Sequence, residues 1–195
     1  MPIRNTTERW GWVSIGIHWL TLLMVLSLVL VGFVMQEMAN SPTKIEVYAM
    51  HKSFGLTLLG LTVLRLLWRL VAGTPAALPG MPRWQHLAAQ ASHGALYAIL
   101  LAMPLSGWLY NSASGFPLKW FGLLSLPKLS GYDADVKAFA LAMHEWLFIA
   151  LAVVVSVHAA AALKHHYFDR DATLARMLPG LPPPDGAARN DKEAP

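Results

Sequence analysis

Long apolar stretches most constrain what this chain can fold into. Residues 13–35 carry no formally charged side chain, and most of them are apolar. About 20 apolar residues are enough for an α-helix to cross the hydrocarbon core of a bilayer, where an open chain could not satisfy its backbone groups. The stretches 49–71, 87–110 and 139–163 have a similar character with more polar interruptions. The sequence predicts an all-α membrane protein, a bundle of four transmembrane helices.

The basic residues predict the orientation of these helices. Ten fall on one side: Arg4, Arg9, Arg65, Arg69, Arg83, Lys164, Arg170, Arg176, Arg189 and Lys192. Five fall on the other: Lys44, Lys52, Lys119, Lys128 and Lys137. Cytoplasmic loops carry the excess of Lys and Arg, so both termini are predicted to be cytoplasmic. This distribution reflects topology, and we expect no nucleic-acid partner.

One membrane domain is predicted over 1–177, followed by a disordered tail over 178–195 that is rich in Pro, Ala and charge. The first helix is too long for a signal peptide and lacks a clear cleavage site, so we expect it in the mature protein. A long loop, about 111–137, contains an apolar segment, 116–124, that is too short to span and is expected to lie flat at the outer interface. The chain has no cysteine, which excludes disulfides, thiolate metal sites and covalent haem attachment.

Four histidines inside the predicted spans match in depth. His18 and His158 lie near the cytoplasmic side, and His51 and His144 lie near the outer side. On one helix, His144 and His158 are almost four turns apart, hence on nearly the same face and about 21 Å apart along the axis. Opposed imidazoles can fill both axial positions of a haem iron. The pattern fits two flat metal cofactors stacked across a bilayer.

Other interpretations of these histidines remain open. A lone intramembrane histidine is more often a hydrogen-bonded packing residue or part of a proton pathway, although that account does not predict paired depths. Zinc or di-iron chemistry would require carboxylates beside the histidines, and only Glu145 is near one.

Several neighbouring residues are secondary candidates. Arg65 and Arg69 could bind the propionates of the inner haem or simply anchor the helix at the cytoplasmic surface. His93, with Tyr97 one turn later, and His165 are candidates for quinone binding or proton transfer. His86 is expected at the interface, and His166 among the headgroups.

The chain resembles the bacterial cytochrome b561 family of small four-helix membrane proteins. The resemblance rests on Ile17-His-Trp-Leu20, Met50-His-Lys-Ser-Phe-Gly55, Val63-Leu-Arg-Leu-Leu-Trp-Arg69, Met143-His-Glu145 and His158-Ala-Ala-Ala-Ala-Leu-Lys-His-His-Tyr-Phe168. The last string is the most specific, and the order of the motifs covers nearly the whole chain to about Met177.

The resemblance implies two b-type haems with axial ligands His18, His51, His144 and His158, paired as His18/His158 and His51/His144. It implies a multi-pass protein of the bacterial inner membrane that exchanges electrons with ubiquinone. One branch is described as a superoxide oxidase, in which superoxide is the outer donor. The five outer lysines could steer that anion, or they are ordinary solvated loop charges.

Three functions therefore remain as hypotheses. The first is electron transfer between an outer donor, such as superoxide, and ubiquinone, which would make the protein a superoxide:ubiquinone oxidoreductase. The second is a non-enzymatic electron-carrying subunit for a partner dehydrogenase or periplasmic redox protein. The third is a haem-free proton-coupled transporter, although transporters usually have more helices and internal repeats.

Overall fold

Four long helices make up most of the computed structural model, which describes residues 2–182. They are α1 (Trp12–Glu37), α2 (Pro42–Ala72), α3 (Arg83–Ala113) and α4 (Ala134–Tyr167). Each is long and apolar enough to cross a membrane. Even the shortest, α1, is about 39 Å long and exceeds the hydrocarbon thickness of about 30 Å. The predicted four membrane helices are confirmed; most of the predicted tail, 183–195, lies outside the described residues.

The helices extend beyond the predicted stretches because their first turns are polar. Helix α2 begins at Pro42 rather than at residue 49. The Ser41 hydroxyl accepts a hydrogen bond from the Lys44 amide at 3.2 Å, and proline suits the first helical position. Helix α4 begins at Ala134 rather than at residue 139, because the Asp133 carboxylate accepts the amides of residues 135 and 136, both at 2.9 Å. Hydropathy alone does not register these capped turns.

A short β-hairpin occupies the loop between α3 and α4, which the all-α prediction missed. Strands β1 (Leu118–Trp120) and β2 (Leu124–Leu126) pair antiparallel, with Trp120 opposite Leu124. The turn between them contains Phe121 and Gly122, both with positive φ. The hairpin lies against α2. The Trp120 indole donates to the Thr57 hydroxyl at 3.0 Å, and the Phe121 amide donates to the Ser53 hydroxyl at 3.0 Å.

Two compact units divide the chain, and each takes part of every helix. Among the described residues, the terminal unit contains 2–17, Leu66–Leu96 and 152–182. The hairpin unit contains His18–Arg65 and Tyr97–Leu151, and it includes both strands. All five lysines that were predicted for the outer side belong to the hairpin unit.

Several small hydroxyl side chains are buried, whereas many large apolar side chains are exposed. Thr62 and Ser112 are almost fully buried and donate to the carbonyls of Leu58 and Trp108, one turn earlier, at 2.8 and 2.9 Å. On α1, by contrast, Leu23, Leu26 and Leu30 are more than half exposed. Lipid solvates apolar groups as well as a protein core does, so membrane helices pack through small residues.

Candidate haem-binding site

His51 and His144 both lie in the hairpin unit, and each ring lies beside a glycine. A Cβ added to Gly32 would be 3.7 Å from the Cε1 atom of His51, and one added to Gly107 would be 3.4 Å from the Cε1 atom of His144. The two glycines therefore leave space for the imidazoles against the helix backbone. The Nδ1 atom of His51 is buried and has no hydrogen-bond partner among the described residues. A buried polar atom without a partner destabilises a fold by roughly 1–3 kcal/mol. Such an atom therefore requires an explanation, and a ligand-binding role for His51 provides one.

The surroundings of His144 determine which of its nitrogens carries the proton. Its Nδ1 atom lies 3.0 Å from the Met103 carbonyl oxygen and 3.0 Å from the Ser106 hydroxyl. A carbonyl oxygen can only accept, so Nδ1 must be the N–H donor. The neutral ring then carries its lone pair on Nε2, which is the form that binds iron. His144 therefore fits axial haem ligation through Nε2.

His18 has the opposite arrangement. An Arg65 guanidinium nitrogen lies 3.0 Å from the Nδ1 atom of His18, and the guanidinium carbon lies 5.5 Å from the centre of the Tyr97 ring. Because arginine can only donate, Nδ1 of His18 is the acceptor, and the neutral ring carries its proton on Nε2. Ligation through Nε2 therefore requires Arg65 to leave Nδ1 for another acceptor. A carboxylate is the natural alternative, since arginine binds carboxylates with two parallel hydrogen bonds.

His158 and His93 meet in the terminal unit. Their ring centres are 5.3 Å apart and their planes are inclined by 62°. From the sequence, His158 was predicted to be an iron ligand and His93 was a separate candidate for quinone binding or proton transfer. Their contact was not predicted. The structure therefore places His93 directly beside a candidate ligand. Arg69, the other candidate for binding a propionate, lies in the last turn of α2.

His165 belongs to a polar cluster at the end of α4. Its Nδ1 atom lies 2.6 Å from the Asp171 carboxylate and 3.1 Å from that of Asp169. Asp169 also forms an ion pair with Lys164 at 2.7 Å. An imidazole between carboxylates can hold and release a proton. The three acid and imidazole groups could also hold a metal ion, but Lys164 already supplies a cation to the cluster.

The described contacts of the two remaining histidines, His86 and His166, do not indicate a ligand-binding or catalytic role. His86 forms a 3.3 Å hydrogen bond with Gln90 on the exposed part of α3. His166 packs edge-on against Tyr167, and its buried Nδ1 atom has no hydrogen-bond partner within the described chain.

Two of the lysines approach the last turn of α3 from different helices. Lys52 of α2 donates to the Asn111 side-chain oxygen at 3.1 Å, and the amine of Lys137 of α4 lies 6.0 Å from the centre of the Tyr110 ring. Both partners are uncharged, so neither amine's charge is neutralised by these contacts. The two cations lie in the same unit as His51, the residue before Lys52.

Comparison with known proteins identifies the family. The family model described as prokaryotic cytochrome b561 matches residues 9–180. The chain belongs to the prokaryotic cytochrome b561 family. Cytochrome b561 homolog 2 of Escherichia coli (strain K12) is 38% identical over 180 residues, which is 91% of this chain and 95% of the relative. Cytochrome b561 homolog 1 of the same organism is 31% identical over 178 residues, covering 88% and 98% of the two chains. The probable superoxide oxidase CybB of Yersinia pestis is also 31% identical over 178 residues, covering 88% and 97%.

Membership in the cytochrome b561 family accounts for the broad character of the molecule. It is a multi-pass bacterial membrane protein that transfers electrons, and the family implies that it binds haem b. The resemblance noted from the histidine motifs is confirmed.

Sequence reasoning missed the residues that surround His144. Ser106 and Gly107 form its contacts, together with the Met103 carbonyl, from 37 to 41 positions earlier in the chain. Glycine is common in membrane helices, and an interior serine carries no sequence signal of its own. The contact becomes visible only when α3 and α4 are placed side by side.

Proposed function

We propose that this cytochrome holds two haems b and transfers electrons between an outer donor and ubiquinone in the bacterial inner membrane. The axial ligands would be His51 with His144 and His18 with His158. The observation that carries the proposal is the state of His144, whose Nδ1–H is held by two acceptors so that Nε2 is available to iron. A metal-ligating histidine uses this tautomer, with the N–H of its other ring nitrogen held by an acceptor.

The side chains around the ligands would control orientation, water and protons. Haem b, when bound, supplies the one-electron redox chemistry. Ser106 and the Met103 carbonyl orient the ring of His144, and Arg65 would exchange Nδ1 of His18 for a propionate. The exposed leucines of α1 face lipid and keep water from the interior. His165, bonded to Asp171, is placed to hold a proton for a reduced quinone.

We propose superoxide as the outer donor. Two observations support it: a relative named as a probable superoxide oxidase, and the two lysine amines that approach the end of α3 in the same unit as His51. A positive patch accelerates the arrival of a small anion, and the acceleration falls with ionic strength. Two superoxide ions would each lose one electron to become oxygen, and ubiquinone would take the two electrons and two protons to become ubiquinol.

The test uses the full chain in liposomes that contain ubiquinone. Pulses of superoxide should yield one ubiquinol for every two superoxide ions consumed, and Lys52→Gln with Lys137→Gln should slow the reaction several-fold at low salt and less at high salt. Lys44→Gln is the matched control, because it removes one positive charge from the first turn of α2, where the amine is bonded to the Met38 carbonyl and not to the end of α3. If a haem-loaded protein consumes no superoxide, the donor assignment is wrong and the function is that of an electron carrier for a partner protein.

A further inference from the structure

We propose that Ser106 is a positioning residue that, together with the Met103 carbonyl, holds the ring of His144 and thereby lowers the reduction potential of one haem. This inference rests on the proposed function, since it assumes that His144 is an axial ligand. It assigns a role to a side chain that would touch neither iron nor substrate.

Only one arrangement of protons satisfies the three atoms involved. The Ser106 hydroxyl lies 2.7 Å from the Met103 carbonyl and 3.0 Å from Nδ1 of His144, and that Nδ1 atom is 3.0 Å from the same carbonyl. If the hydroxyl donated to Nδ1, two lone pairs would face each other across the contact between His144 and Met103. The hydroxyl therefore donates to the carbonyl, and Nδ1–H is shared between the two oxygens.

Burial strengthens this arrangement. Ser106 is fully buried, with 0% of its surface exposed, so no water competes for its hydroxyl. In a site of low dielectric, the hydroxyl dipole keeps its negative end on the Nδ1–H group of His144. On another side, the ring lies close to the backbone of Gly107, the next residue. A Cβ added there would be 3.5 Å from Nδ1.

The dipole should favour the oxidised haem. Negative charge at Nδ1–H increases the electron density on the opposite nitrogen, which stabilises ferric more than ferrous iron. Groups that orient metal ligands commonly change affinity or activity 10- to 100-fold. At the lower end of that range, Ser106→Ala should shift the reduction equilibrium of one haem about tenfold toward the ferrous form, which is a rise of about 59 mV for a one-electron couple.

Potentiometric titration of the full haem-loaded chain tests this directly, with low-temperature electron paramagnetic resonance of the ferric haems as a second readout. In Ser106→Ala, one couple should move to higher potential with a changed ferric spectrum, while the other stays in place. Ser112→Ala is the matched control: it removes another buried hydroxyl from α3, one bonded to the Trp108 carbonyl and the Leu129 amide rather than to a histidine. It should leave both potentials unchanged.

The outcomes separate this inference from the proposed function. Two haems with unshifted potentials in Ser106→Ala, or an equal shift in Ser112→Ala, would overturn the role of Ser106 and leave the ligand assignment intact. A wild-type chain that binds no haem would overturn the proposed function itself. If Ser106→Ala does not fold, Ser106→Cys decides: its thiol is a weak acceptor, so the same positive shift is expected, and an unchanged potential would contradict the inference.

Discussion

Replacing Arg65 by methionine should both destabilise the protein and weaken one haem site. The guanidinium donates to Nδ1 of His18 at 3.0 Å and lies 5.5 Å from the centre of the Tyr97 ring. Methionine retains much of the apolar stem but neither donates a hydrogen bond nor carries charge. Whether the guanidinium holds Nδ1 or a haem propionate, the variant supplies no substitute.

The magnitude follows from the loss of one charge-assisted hydrogen bond, to Nδ1 or to a propionate, and of the cation–π contact. A hydrogen bond with a charged donor contributes about 1.5–3 kcal/mol to stability, and a cation–π contact contributes about 0.5–2 kcal/mol. Their loss should reduce the free energy of unfolding by about 3 kcal/mol. For a chain of this size, each kcal/mol lowers Tm by roughly 2–4 °C, so a decrease of roughly 6–12 °C is expected.

Thermal unfolding of the purified chain in detergent, followed by tryptophan fluorescence at a fixed scan rate, measures this effect. Arg65→Lys is the control because it keeps the charge and loses the planar fork, and it should fall between wild type and Arg65→Met. Haem content should fall toward one per chain in Arg65→Met. A Tm within about 1 °C of wild type, below the shift from even one kcal/mol, together with full haem content, would refute the roles given to Arg65.

Two further substitutions probe the hairpin unit. Gly107→Ala should be tolerated, because its Cβ would make an ordinary contact with His144 at 3.4 Å, whereas Gly107→Val should displace the ring and lose about half the haem; equal haem in both variants would contradict the close approach. Ser53→Ala should leave the Phe121 amide unsatisfied and destabilise the hairpin by roughly 1–3 kcal/mol, visible as faster amide exchange over 118–126. Unchanged exchange would show that Ser53 does not anchor the hairpin.

The sequence predicted the membrane helices because a charge-free run of 23 residues, 13–35, leaves a chain few other options. It did not predict where they begin. The first turn of α2 contains Lys44 and that of α4 contains Asp135. Hydropathy therefore predicts a loop at both places, and only the capping hydrogen bonds show that they are helical. The hairpin was missed for a related reason: its strands have three residues each, and it is bonded to Ser53 and Thr57 of α2, more than 60 residues away in the chain.

The candidate ligands were predictable, but their chemical states were not. Spacing and depth selected His18 and His144 from the sequence. Only the contacts distinguish them, since Nδ1 of one faces a donor, Arg65, and Nδ1 of the other faces acceptors on α3. Tautomers depend on single atoms that lie tens of residues away in the chain, and no periodicity in a sequence records them.

Haem stoichiometry in histidine variants tests the central claim most directly. The wild-type chain should hold two haems b by reduced-minus-oxidised spectroscopy with haem quantification. About half should be lost from His51→Ala or His144→Ala, and the other half from His18→Ala or His158→Ala. Combining His51→Ala with His144→Ala should remove no more than either alone, whereas His144→Ala with His158→Ala should remove nearly all haem. Full haem retention in all four single variants, or additive losses within a proposed pair, would contradict the ligand assignment.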